Sequence, residues 1–195
     1  MRRIIEQILK ESLSVKENFI RDNVEKLILL SEKVAQAFTN DKKLMICGNG
    51  GSAADAQHIA AEFINRYEME RPSLPAIALT TDTSVITSIG NDYSFKEIFS
   101  KQIKAMGLEG DVLLVISTSG DSENVIKAVE DAKQLRIYTA AFLGKDGGRL
   151  GRLVNLPIIA RSKQTARVQE AYILAGHILC HLVDYMLFQR HVIEA

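Results

Sequence analysis

The chain has 195 residues, 47% of them hydrophobic, a length and composition that supply a sizeable core for one globular domain and exclude a disordered chain. Lys plus Arg and Asp plus Glu balance at 24 each, so no global field draws in nucleic acid or an anionic membrane, and any anion has to be held locally. Two cysteines, Cys47 and Cys180, are too few and too distant for a disulfide scaffold, no apolar run approaches a membrane span, and Glu6, Lys10 and Glu11 interrupt the N-terminus before a signal-peptide core forms, so the cytoplasm is the expected compartment.

From Ile4 to Phe38 apolar residues recur at steps of three and four, which predicts one long or two consecutive amphipathic helices in need of a partner. Short apolar runs and helix patterns then alternate. Leu44 to Cys47 reads as a strand, Ser52 to Asn65 as a helix and Ala76 to Leu79 as a strand; Thr83 to Ile89 and Phe95 to Met106 look helical. Val112 to Ile116 is a strand, Glu123 to Gln134 a helix, Tyr138 to Leu143 and Leu156 to Ile159 are strands, and Thr165 to Gln189 is a long closing helix. Five strands alternating with helices predict an α/β fold with a parallel sheet covered on both faces. In such a sheet ligands gather beyond the carboxyl ends of the strands. The loops there are 48–52, 80–83, 117–122 and 144–148, all of them small and polar.

The loop STSGDS, residues 117–122, follows the strand DVLLVIS and precedes a helix start. Ser117, Thr118, Ser119 and Ser122 supply four hydroxyls beside a glycine and free backbone N–H groups, which suits a phosphate better than a plain helix cap. No G-x-x-x-x-G-K-[ST] is present, and the G-x-G-x-x-A of Gly48, Gly50 and Ala53 has Glu68 and Glu70 at the required distance only in a segment without strand character. No nucleotide is therefore expected. His58 and Glu62 share a helix face one turn apart. On the closing helix Gln169 and His177 are eight apart and nearly aligned along the axis, with Glu170 and His181 as neighbouring alternatives. Cys47 has no basic partner nearby in sequence and reads as a buried thiol rather than a nucleophile.

Taken together, CGNGGSAADAQH, the GND of Gly90, Asn91 and Asp92, ISTSGDS, GKDGG and RVQE with the later His177 resemble the phosphoheptose isomerases of the sugar isomerase (SIS) domain family, over about residues 42–190. The resemblance implies a three-layer, flavodoxin-like sandwich with a parallel five-stranded sheet, divided here into an N-terminal helical segment, 1–40, and a SIS domain, 41–195. It implies a homotetramer in which the N-terminal helix finds its partner in another subunit, and no nucleic-acid or membrane partner. By the same resemblance Ser117, Thr118, Ser119 and Ser122 hold the phosphate of a seven-carbon sugar, and Asn49, Gly50, Gly51, Ser52, Asn91 and Asp92 contact its chain, joined by Glu62 and Gln169. Glu62 and His177 match the acid/base pair of a sedoheptulose 7-phosphate isomerase, and His58, Glu62, Gln169 and His177 match a zinc site. The segment NRYEMERPSLPAIAL also resembles a close relative of these enzymes, the DnaA initiator-associating protein, which implies a DnaA-binding regulator as the alternative.

Overall fold

The computed structural model describes residues 1–189, so residues 190–195, the end of the expected SIS segment, lie outside the described residues. The N-terminal periodicity forms one uninterrupted helix, α1 (Arg2–Thr39), 38 residues and about 57 Å long. From its middle onward it buries Phe19, Leu27, Leu30, Val34 and Phe38 on one face. Along its first turns Ile4, Ile5, Leu9 and Leu13 stay more than half exposed.

The chain continues through β1 (Leu44–Gly48), α2 (Gly51–Ile64), β2 (Ala76–Ala78), α3 (Thr83–Asp92), α4 (Ser100–Met106), β3 (Val112–Ser117), α5 (Glu123–Gln134), β4 (Tyr138–Gly144), α6 (Leu150–Leu153), β5 (Leu156–Ala160) and α7 (Thr165–Asp184). The five strands form one parallel sheet in the order β2-β1-β3-β4-β5. The period of two divides each strand between two cores. Leu44, Ile46, Leu114, Ile116 and Phe142 face the layer of α1, α2 and α7, whereas Met45, Cys47, Leu113, Val115 and Leu143 face α4, α5 and α6. The expected α/β sandwich with a parallel five-stranded sheet is what the chain adopts. β5 is an edge strand, which tolerates Pro157, and α1 covers it. Asn23 of α1 donates to the Ile159 carbonyl at 3.3 Å and accepts from the Ile159 N–H at 3.4 Å, while Lys26 donates to the Pro157 carbonyl at 2.8 Å.

Three sequence expectations need correction. The helix expected over 95–106 is split into a 3-10 turn, Phe95–Glu97, and α4, with Ile98 and Phe99 buried between them. The closing helix changes at Tyr185 into a π-helical turn, Tyr185–Gln189. Thr165–Gln189 is also long and apolar enough to cross a membrane, contrary to the reading that no run approaches that length. The physical reason is that α7 is a core helix: Val168, Ala171, Tyr172, Ala175, Leu179, Cys180 and Val183 pack against α1, α2 and the sheet, so apolar residues occupy most of its circumference.

Candidate active site

The strand order places a topological switch between β1 and β3, where the chain leaves toward opposite sides of the sheet and a crevice opens beyond the strand ends. Two of the loops singled out by the sequence flank it. Gly50 takes φ +57°, a left-handed conformation natural to glycine, and so lets β1 turn directly into α2. Asn49 and Asn124 exchange two amide hydrogen bonds, at 2.9 and 2.8 Å, which tie this turn to the start of α5. That occupies the Asn49 side chain, which the resemblance assigns to the sugar, and it brings in Asn124, which the sequence reading missed.

The hydroxyl loop after β3 is shaped from within. Ser117 Oγ accepts from the Gly120 N–H at 3.1 Å and lies 3.4 Å from Ser122 Oγ, and Ser119 Oγ accepts from the Asp121 N–H at 3.2 Å. Gly120, at φ +73°, packs against the Gly147 carbonyl of the β4 loop, where a Cβ has no room. Ser122 occupies the cap position of α5, yet its side chain makes no capping bond. The positive end of the helix dipole at this turn is thus left open to an anion. Tyr172 of α7 reaches the same loop, its hydroxyl 3.4 Å from the Ser117 carbonyl, and burial pushes its phenol far above the ordinary tyrosine range, which keeps it a neutral donor.

At the other end of α2, the expected pair and its distant partner come together. His58 Nε2 lies 3.2 Å from Glu62 Oε1 and 3.2 Å from His177 Nε2. One ligand atom from each of the three falls within 4.8 Å of the others. Two imidazole nitrogens and a carboxylate, with His58 exposed and Glu62 and His177 half-buried, fit a divalent metal of the zinc type. Tyr67, which the sequence reading did not single out, lies parallel to the His177 ring at 5.6 Å between centroids and 29° between planes. Asp55, one turn ahead of His58, is held above the ordinary aspartate range by burial, with the His58 charge pulling the other way, and its Oδ2 has no partner.

Gln169 does not join this cluster within the protomer. α2 and α7 run side by side, with Gln169 against Gly51, Ile59 against Gly176 and His58 against His177. Eight residues of α7 separate Gln169 from His177, about 12 Å of helix rise, which sets them at different heights along the helix within the protomer. Alignment along an axis gives a shared face and not a shared height. Gln169 belongs instead to the end where Gly50, Gly51 and Ser52 open α2. The neighbouring alternatives are engaged elsewhere: His181 Nδ1 is 3.2 Å from Glu68 Oε2, and Glu170 pairs with Arg167 at 3.0 Å. Asn91 donates to Asp92 at 2.9 Å at the exposed end of α3, and among the described residues neither bonds to the cluster.

Residues 7–144 match the SIS domain family. A phosphoheptose isomerase of Clostridium acetobutylicum is 51% identical over 196 residues and covers 100% of both chains. One from Nitratidesulfovibrio vulgaris Hildenborough is 48% identical over 189 residues, 97% of this chain and 91% of its own. Among solved structures, a phosphoheptose isomerase from Neisseria gonorrhoeae superposes with a TM-score of 0.89 at 42% identity, covering 94% of this chain and 98% of that one. One from Francisella tularensis gives 0.90 at 39% identity, covering 93% and 97%. The chain belongs to the SIS domain family, within its group of phosphoheptose isomerases.

Proposed function

We propose that Glu62 and His177 carry the isomerisation of sedoheptulose 7-phosphate to D-glycero-D-manno-heptose 7-phosphate, an early step in making activated heptose, with the hydroxyl loop as the phosphate anchor. The chain is an isomerase acting on a phosphorylated heptose. The observation that carries the residue assignment is the convergence of His58, Glu62 and His177 from two helices at 3.2 Å contacts.

The ketose carbonyl is at C2. Glu62 takes a proton from C1, leaving a cis-enediol, and returns it to C2, while His177 moves protons at the two oxygens so that the carbonyl appears at C1. Groups of this kind contribute on the order of 10²- to 10⁴-fold each. Positioning supplies much of the rest. Ten residues of α2, about 15 Å of axis, separate Ser52 from Glu62, and the Glu62 side chain leans back toward the cradle. A long chain held by its phosphate at one end suits that span. Ser117, Thr118, Ser119 and Ser122 grip the phosphate, and Gly50, Gly51, Ser52 and Gln169 line the path from it. A zinc ion held by His58, Glu62 and His177 would supply Lewis-acid polarisation of the carbonyl oxygen.

The exposed apolar face of α1 supports assembly into the expected homotetramer, and two free, buried cysteines suit the cytoplasm. The likeness of NRYEMERPSLPAIAL to the initiator-associating relative has a local structural explanation, because Tyr67, Arg71 and the β2 residues of that segment are engaged in packing within this fold. The test is an isomerase assay on sedoheptulose 7-phosphate, repeated after chelation and after adding zinc back. Aldose phosphate forms at an enzymic rate, falling on chelation and returning with zinc; a protein that leaves the ketose phosphate unchanged under all three conditions refutes the assignment.

A further inference from the structure

The segment between α2 and β2 has no regular structure, yet it is docked along α7 at successive turns. Tyr67 lies on His177, Glu68 pairs with His181, and Arg71 pairs with Asp184. The first two contacts are at the surface. The third is sealed, with the Arg71 side chain 1% and the Asp184 side chain 5% exposed.

The Arg71 guanidinium has four acceptors, one carboxylate and three backbone carbonyls. Its Nε donates to Asp184 Oδ1 at 2.7 Å, one Nη to the Phe63 and Pro72 carbonyls at 2.8 and 3.1 Å, and the other Nη to the Glu62 carbonyl at 3.0 Å. The Glu62 and Phe63 carbonyls belong to the last turn of α2, where helix geometry leaves them without intrahelical donors. One rigid fork therefore fastens the end of α2 to the end of α7. Upstream, the two helices meet at Gly51 and Gln169, at Ile59 and Gly176, and at His58 and His177. Those contacts all precede the final turn of α2, so without the fork that turn could pivot, and Glu62 would swing relative to His177.

Stability alone is a weak reason for such a pair. A buried ion pair rarely outperforms well-packed apolar residues, and Asp184 Oδ2 is left without any partner. Lysine could meet the Asp184 charge but could not reach both carbonyls from a planar fork.

We infer that Arg71, fixed by Asp184, is a positioning residue that sets the Glu62 carboxylate against the His177 ring through the Glu62 and Phe63 carbonyls. This deepens the proposed function and rests on it.

The test compares wild type with the paired substitution Arg71→Met with Asp184→Leu, which removes both charges together, and with Arg71→Lys. Turnover of sedoheptulose 7-phosphate by the wild type decides the functional reading separately. The paired variant melts within a few degrees of wild type, keeps KM within about threefold, and loses kcat by roughly tenfold or more, the scale of a small misplacement of reacting groups. Its His58 and His177 imidazole NMR signals move from their wild-type positions, a readout that needs no turnover. Wild-type kcat in the folded paired variant, or unmoved imidazole signals, overturns the inference. Should the paired variant fail to fold, the same measurements on Arg71→Lys decide the matter, and wild-type kcat or unmoved imidazole signals there overturn the inference equally.

Discussion

Gly120 links the proposed phosphate loop to the rest of the molecule, and Gly120→Ala tests that link. At φ +73° an alanine sits in the left-handed region, and its Cβ would run into the Gly147 carbonyl, with the Gly148 nitrogen at 2.8 Å. The conformation costs roughly 1–2 kcal/mol. Relief requires the loop to withdraw, which breaks the 3.1 Å bond from the Gly120 N–H to Ser117 Oγ and the 2.9 Å bond from the Leu150 N–H to the Gly120 carbonyl. Those bonds contribute about 1 kcal/mol each, so the folded state loses about 3–4 kcal/mol in all. For a chain of this size the melting temperature falls by roughly 10 °C. The same withdrawal displaces Ser117 and Ser119, and loss of one charge-assisted bond to phosphate raises KM roughly tenfold or more. Calorimetric melting and steady-state kinetics measure both effects. Gly90→Ala is the stability control, since Gly90 lies in α3 with nothing near its absent Cβ, and there alanine stabilises by up to about 1 kcal/mol. A Gly120→Ala protein with wild-type melting and wild-type KM refutes this account of the loop.

Asp55→Asn raises the melting temperature by a few degrees at about pH 7, on the order of 1 kcal/mol for relieving a half-buried carboxylate with an orphaned oxygen. The sign follows from burial holding its folded pKa above the unfolded one: the charged form burdens the fold at neutral pH, and the burden vanishes at about pH 3, where both states carry the proton. An equal gain at both pH values, or a loss at neutrality, contradicts this. Cys47 and Cys180 are buried, and burial pushes both thiols up out of the reactive range, so a thiol reagent at about pH 8 modifies neither until denaturant is added. Rapid stoichiometric labelling of the native protein would count against the packing described for β1 and α7.

Short apolar runs bounded by polar loops made the strands legible, because a parallel strand buried on both faces leaves little else for four to seven such residues to be. The helix ends were harder. α3 runs on through Gly90, Asn91 and Asp92 since nothing there breaks it before Tyr93, and the α4 region splits around buried Ile98 and Phe99, which periodicity cannot foresee. In the site, the spacing of His58 and Glu62 was readable from one helix, and the surplus hydroxyls of STSGDS from local chemistry. His177 stood out with Gln169 on the closing helix, its role came through the family resemblance, and the structure adds the 3.2 Å contact that joins it to His58. Gln169 lies apart from the cluster within the protomer, because an eight-residue spacing fixes direction and not distance. Tyr67 and Arg71 were not legible from the sequence, because they lie in an irregular segment and their partners on α7, His177 and Asp184, are more than a hundred positions away.

The central claim is that Glu62 moves the proton. Glu62→Gln keeps the size and polarity of the side chain and removes its basicity, so sedoheptulose 7-phosphate still binds through the hydroxyl loop while the chemical step stops. Measured together, the calorimetric Kd stays within about threefold of wild type and kcat falls by roughly 10²-fold or more. Turnover within a few-fold of wild type, at unchanged affinity, would contradict the account.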